Sequence, residues 1–125
     1  MSAVAPPNSF SPDDVERASA RDGKRYELID GELKEKFVGA EAIYIALRIA
    51  QRLSAAYDPG LGFAFVEAMI YGFGRPNHGR KPDVSFVWKR RLPGGKIPKR
   101  DLHLIPDLVV GNCLPSPADF ARRAV

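Results

Sequence analysis

The chain has 125 residues, of which 45% are hydrophobic and 27% are charged, and its net charge is +4. This composition is typical of one soluble globular domain, and no apolar run has the length of a membrane span or the layout of a secretory signal. Cys113 is the single cysteine, which excludes an internal disulfide and a cysteine-based zinc cluster. We therefore expect a cytoplasmic protein with a disordered lead-in over residues 1–10 and one domain over residues 11–125.

The first half of the chain carries clear local signals. Ser11-Pro12-Asp13-Asp14 predicts a helix start that ends near Gly23. Asp30-Gly31 then predicts a type I′ hairpin. A two-residue loop sets the register, in which Glu27 and Lys34 form an opposite-charge pair. The expected partners are Ile29 with Glu32, Leu28 with Leu33, Glu27 with Lys34, and Tyr26 with Glu35.

Residues 40–57 predict the one long helix. Ile43, Leu47, Ala50 and Leu53 fall on one stripe, and further isoleucines widen it, so we expect a helix mostly buried against a sheet. Glu41 lies in the first turn, where an acid favours the helix dipole. A metal-binding or catalytic role for Glu41 is the alternative.

Two Pro-Asp pairs open apolar runs in the second half, at Pro82-Asp83 and Pro106-Asp107. Proline suits the first residue of a strand, and the residues that follow are β-branched, aromatic or aliphatic. An Asp fixed at a strand end can bind a hard divalent cation, although two strand starts with solvated carboxylates explain the pattern as well. Glu67 lies between two apolar bursts in residues 63–73, which predict two strands or one bent strand.

Positive charge is concentrated in residues 75–100, which hold nine Lys and Arg against one acid, Asp83. This segment has a charge of +8, whereas the rest of the chain has −4. Such a concentration is typical of a surface that binds nucleic-acid phosphates, and a solvated basic loop is the alternative. The candidate contacts are Arg80, Lys81, Lys89, Arg90, Arg91 and Lys96.

Hydrolysis of a phosphodiester needs an activated water and charge relief at the phosphate, and carboxylate-held Mg²⁺ supplies both. Asp83, Asp107 and Glu67 are carboxylates on predicted strands, with lysines nearby. This set permits a nuclease site without specifying one.

Four motifs in this order resemble the Uma-two family of restriction endonucleases, within the PD-(D/E)XK nuclease superfamily. They are Tyr26-Glu-Leu-Ile-Asp-Gly-Glu-Leu33, Gly39-Ala-Glu41, Lys81-Pro-Asp-Val-Ser-Phe-Val87 and Pro106-Asp-Leu-Val-Val110. The resemblance implies an α/β (α+β) fold with a mixed sheet flanked by helices, Mg²⁺ or Mn²⁺ as cofactor, and DNA as substrate. By this resemblance Asp83 matches the family's metal-binding Asp and Asp107 the Asp that opens the second strand, and we expect both to be catalytic. Glu67 and Glu41 are further candidate metal ligands from their places in the chain.

The chain departs from the family pattern at its end. The family's second strand continues to a Glu ligand where this chain has Gly111, and no lysine follows Lys99 to match the family's helix-borne Lys. These departures predict a truncated or degenerate copy whose catalysis is impaired, since such groups act as a unit. Residues 118–125 predict the start of a helix.

Three functions therefore stay open at this point. The first is a metal-dependent DNA endonuclease, and the second is a non-catalytic nucleic-acid-binding remnant that uses residues 75–100. The third is a partner-binding β-rich module, which has no motif behind it. The sequence leaves the oligomeric state open, a homodimer included.

Overall fold

The structure is a computed structural model that describes residues 9–57 and 60–111. Its regular elements are two helices and five strands, with two short 3₁₀ turns after the fourth strand. They are α1 (Pro12–Asp22), β1 (Tyr26–Ile29), β2 (Glu32–Glu35), α2 (Ala40–Tyr57), β3 (Gly62–Val66), β4 (Val84–Trp88) and β5 (Leu108–Val110).

The local signals of the first half are confirmed. The Ser11 backbone N–H donates to Asp14 Oδ2 at 2.8 Å, and Gly23 ends α1 with a φ of 71°. Asp30 and Gly31 both have positive φ (49° and 86°), as a type I′ turn requires. The register of β1 and β2 is the expected one at all four pairs. Turn chemistry alone therefore specified this hairpin.

The second sheet has the strand order β3-β4-β5, with antiparallel pairing throughout. Four of the five residues of β4 are buried, as expected for a central strand. The predicted α+β class, with an N-terminal hairpin and one long helix, is confirmed. An isolated bridge between Ile70 and Leu102 adds a parallel contact beside the sheet.

Helix α2 has the predicted bounds, but its predicted burial is wrong. Only Ala46 and Ala50 are buried, where they pack on Val84 of β4. The small alanines let the helix approach the sheet closely, and a three-stranded sheet covers only one of its faces. Large apolar residues on the other faces are therefore exposed, for example Tyr44 at 57% and Ile45 at 50%.

Several expectations concern residues outside the described ranges. Cys113 and the helix start at 118–125 are among them, as are residues 1–8 of the predicted lead-in. Phe10, also placed in that lead-in, donates its N–H to the Gly31 carbonyl at 2.8 Å. Among the described helices, none combines the length and the apolar character that a membrane crossing requires.

Candidate functional site

Three charged side chains meet where β2, β3 and β4 come together. The Nζ of Lys36 lies 2.6 Å from Oε2 of Glu67 and 2.8 Å from Oδ1 of Asp83. It also donates to the backbone carbonyl of Lys81. We call Lys36, Glu67 and Asp83 the ammonium–carboxylate cluster.

Strand pairing brings the two carboxylates of this cluster together. The antiparallel register of β3 and β4 pairs Val66 with Val84, so Glu67 and Asp83 are the next residues beyond the ladder. The Glu67 N–H donates to the Asp83 carbonyl at 3.3 Å and continues the pairing. Glu67 has a φ of 57°, which is uncommon for a residue with a side chain and costs backbone strain.

Lys36 reaches the cluster because the hairpin extends one residue beyond β2. Its backbone N–H donates to the Arg25 carbonyl at 2.8 Å, and its side chain is only 4% exposed. Burial alone would lower the pKa of Lys36, but the hydrogen bonds to Asp83 and Glu67 outweigh burial and raise this pKa above its ordinary value. Lys36 is therefore a charged ammonium at neutral pH.

The cluster has the donor chemistry for one divalent cation. Two carboxylates face one ammonium, which leaves these three side chains with a net charge of −1, and Oε1 of Glu67 is buried without a hydrogen-bond partner among residues 9–57 and 60–111. Mg²⁺ is commonly held by one or two carboxylates together with waters and phosphate oxygens, so the two residues fit such an ion. No group of three or more His, Cys, Asp or Glu that could hold a metal occurs within the described residues.

Two clefts open beside Asp83, between α2 and the sheet. One, of about 160 Å³, is lined by Arg25, Ala42, Glu67 and Asp83 among others. The second, of about 310 Å³, extends from Asp83 to Gly111. The carboxylates are thus at the wall of an open space rather than sealed in the core, and side chains of Asp83 and Glu67 are 20% and 16% exposed.

The second Pro-Asp residue, Asp107, is not brought to this cluster. Its Oδ2 accepts the Trp88 N–H at 2.9 Å and lies 3.0 Å from NH1 of Arg91. Trp88 is the last residue of β4, whereas Asp83 precedes the first, so the two Asp residues lie at opposite ends of that strand. A strand rises by about 3.3 Å per residue, which puts Val84 and Trp88 roughly 13 Å apart.

Glu41 and Gly111 flank the cluster without joining it. Glu41 is exposed in the first turn of α2 and is not among the residues that contact Lys36. Gly111 lies next to Asp83, where an added Cβ would be 3.0 Å from the Asp83 backbone nitrogen and 3.1 Å from Oδ2. A side chain at position 111 would therefore start in contact with Asp83.

The candidate DNA contacts of segment 75–100 are divided between the two ends of β4. Arg80 and Lys81 lie near the cluster, whereas Lys89, Arg90 and Lys96 are exposed beyond Trp88. Arg90 lies over the Trp88 ring, 5.5 Å from its centroid, and Arg91 pairs with Asp107. The field of positive charge therefore does not surround Asp83 evenly.

Glu27 has a different partner from the one expected. It is only 3% exposed, and its Oε2 accepts the Lys81 N–H at 2.7 Å and lies 3.3 Å from Nε of Arg80. The predicted pair with Lys34 is wrong, because Glu27 faces the segment that leads into β4. Burial lowers the pKa of the Lys81 side chain. The backbone carbonyl of Lys81 accepts a hydrogen bond from the Lys36 ammonium.

The sequence argument missed Lys36. In a strand with alternating sides, Lys36 has the same parity as Glu32 and Lys34, both of which are exposed, so the pattern predicts a solvated lysine. Its burial depends on Glu67 and Asp83, which lie more than 30 residues away. The nearest signal was that Asp83 and Glu67 were both expected as acids on strands of one sheet, where a cation can pair with them.

Comparisons with known proteins identify the family. The model of the Uma2 family, described as "Putative restriction endonuclease", matches residues 12–111. A crystal structure from Anabaena variabilis, described as a "putative nuclease belonging to DUF820", matches with a TM-score of 0.59 and 22% identity. The match covers 81% of this chain and 58% of that chain, so this chain spans less than two thirds of its solved relative. No curated protein matches. The matched residues include both sheets and the whole ammonium–carboxylate cluster, and the chain belongs to the Uma2 family.

Proposed function

We propose that this chain is a metal-dependent DNA endonuclease whose site is the ammonium–carboxylate cluster. The observation that carries the proposal is the convergence of Glu67 and Asp83 on one cation position, with Oε1 of Glu67 buried and unpartnered. Family membership supports the nuclease class. In this proposal Glu67 and Asp83 would hold Mg²⁺ or Mn²⁺, which would supply charge relief at the phosphate and an activated water.

The chain's own residues then supply positioning and charge. Lys36 is charged at neutral pH and lies within 3 Å of both carboxylates, so it keeps one positive charge beside them. Arg25 lines the cleft of about 160 Å³ and places a second positive charge at its wall. Asp107 accepts a hydrogen bond from the Trp88 N–H and pairs with Arg91. We therefore assign Asp107 to the stabilisation of β4 rather than to the reaction.

The exposed bases beyond Trp88 would hold the DNA at a distance from the cluster. Lys89, Arg90 and Lys96 are exposed, about 13 Å along β4 from its cluster end. This spacing corresponds to about four base pairs of a duplex that runs along the strand. A DNA substrate also agrees with the cytoplasmic location that the sequence predicts.

A second candidate is nucleic-acid binding without cleavage. Two observations favour it: Gly111 offers no carboxylate beside Asp83, and the ammonium of Lys36 already lies between Glu67 and Asp83. Binding would then depend on the exposed bases, fall steeply with salt and be indifferent to Mg²⁺.

Cleavage and binding assays on one duplex separate the two candidates. Nicking of a supercoiled plasmid and binding of a labelled duplex are measured with Mg²⁺, with Mn²⁺ and with chelator, for wild type, Asp83→Asn and Glu67→Gln. Glu32→Gln is the matched control, since Glu32 is an exposed acid of β2 that has no part in the cluster. The endonuclease proposal expects metal-dependent nicking that Asp83→Asn and Glu67→Gln abolish and Glu32→Gln retains.

Two other results would decide against it. Nicking that Asp83→Asn leaves undiminished contradicts the site. Tight, metal-independent binding with no nicking under any condition favours the second candidate.

A further inference from the structure

The ammonium of Lys36 occupies the place between the two carboxylates that a metal ion would take. We infer that Lys36 is an internal cation that competes with divalent metal, so that a metal ion binds at Glu67 and Asp83 only when this side chain moves out. The inference rests on the proposed metal site and adds an internal competitor for that site.

The ammonium of Lys36 fills the position between Oε2 of Glu67 and Oδ1 of Asp83. Its three N–H donors match three acceptors, which are Oε2 of Glu67, Oδ1 of Asp83 and the Lys81 carbonyl. The two carboxylate oxygens are 2.6 and 2.8 Å from Nζ. An ion between the same oxygens would lie against the ammonium, and two positive charges at that separation repel strongly.

The charge of the cluster favours replacement of the Lys36 ammonium by a divalent ion. With Lys36 in place the cluster has a net charge of −1, and Oε1 of Glu67 stays unpartnered. A divalent ion in place of the ammonium would balance the charges of both carboxylates. The adjacent cleft of about 160 Å³, which Glu67 and Asp83 both line, offers space for the displaced side chain.

One consequence distinguishes competition from simple support of the fold. If Lys36 competes with metal, Mn²⁺ binds wild type more weakly than a variant whose two carboxylates lack the ammonium. Removal of the ammonium should therefore tighten metal binding, which a purely structural lysine would not do.

The test is calorimetric titration of Mn²⁺ alone into wild type, Lys36→Met and Lys34→Met. Lys34 is the matched control because it is an exposed lysine two residues away on the same hairpin. We expect Lys36→Met to bind Mn²⁺ about tenfold more tightly or better than wild type, since one opposing charge is removed at close range. Lys34→Met should bind like wild type.

The outcomes separate this inference from the proposed function. If wild type and Lys36→Met bind Mn²⁺ equally and Asp83→Asn binds none, the metal site stands and the competition is refuted. If none of the folded proteins binds Mn²⁺, the proposed metal site fails, and the inference fails with it.

The circular dichroism of Lys36→Met gives a second readout. If Lys36→Met is unfolded in chelator, competition predicts that millimolar Mn²⁺ restores its far-ultraviolet circular dichroism. An unfolded variant that Mn²⁺ fails to restore contradicts the inference.

Discussion

The two Pro-Asp pairs of this chain have the same sequence pattern and opposite surroundings. Asp83 lies beside a cleft, shares an ammonium with Glu67 and is next to the unpartnered Oε1 of that residue. Asp107 accepts the Trp88 N–H and pairs with Arg91 at the other end of β4. The pattern places an acid at a strand end in both cases, but the neighbours decide what the acid can do.

This difference teaches where to look for chemistry in a short motif. Asp107 has a structural role, because it accepts a hydrogen bond from the Trp88 N–H on the neighbouring strand of its own sheet. Asp83 shares one ammonium with Glu67, and both carboxylates line a cleft that Arg25 also lines. An acid at an open cleft that shares its counter-ion is the better candidate for a ligand.

The largest expected effect is on the Asp83 side of the comparison. Lys36→Met leaves two carboxylates without their cation, and breaking a buried ion pair in this way costs about 3–5 kcal/mol. Urea unfolding in chelator measures the loss, with Lys34→Met expected to stay within about 0.5 kcal/mol of wild type. Equal stabilities of Lys36→Met and wild type would show that the cluster is not formed.

On the Asp107 side of the comparison we expect a smaller loss of folding stability. Asp107→Ala removes the acceptor of the Trp88 N–H and the partner of Arg91, at a cost of about 1–3 kcal/mol. Mn²⁺ binding by the folded variant should be unchanged, because Asp107 is far from the cluster. A variant that keeps wild-type stability but loses Mn²⁺ binding would reverse the assignment.

A third prediction adds a carboxylate to the Asp83 side. Gly111 has a φ of 154°, and an added Cβ would lie 3.0 Å from Asp83, so Gly111→Glu should lose roughly 1–2 kcal/mol in chelator. The new acid faces Asp83 and should enlarge the rise in melting temperature that Mn²⁺ produces. Gly111→Ala carries the strain without the charge and serves as the control. The prediction fails if Mn²⁺ stabilises both variants equally.

The smallest effect concerns the exposed bases beyond Trp88. Single changes of Lys89, Arg90 or Lys96 to Gln should weaken DNA binding uniformly across sequences and leave stability nearly unchanged. The slope of log affinity against log salt should fall by about 0.9 for each phosphate contact that is lost. Fluorescence anisotropy at several salt concentrations measures it, and an unaltered slope in all three variants would place the DNA elsewhere.

The sequence predicted what short-range chemistry controls. Asp30-Gly31 specified the hairpin register, and Ser11 and Gly23 specified the ends of α1. Helix α2 was placed correctly, but its buried face was not, since which apolar residues find a partner depends on how much sheet is present. Ala46 and Ala50 meet the sheet, whereas the bulkier Tyr44 and Ile45 do not.

The candidate site was predicted in part for the same reason. Asp83 and Glu67 are adjacent because β3 pairs with β4, and both were proposed as carboxylates on strands of one sheet. Lys36 was out of reach, because its alternation with Lys34 predicts exposure and only long-range contacts bury it. Similarly, nothing in the sequence of the second Pro-Asp pair shows that Trp88 and Arg91 occupy Asp107.

The central claim is that Asp83, and not Asp107, belongs to a cation site. Calorimetric titration of Mn²⁺ into wild type, Asp83→Asn and Asp107→Asn tests it most directly, with circular dichroism to verify that each protein is folded. The account predicts that Asp83→Asn loses Mn²⁺ binding and that Asp107→Asn keeps the wild-type affinity. Binding that survives in Asp83→Asn, or that disappears in a folded Asp107→Asn, would contradict it.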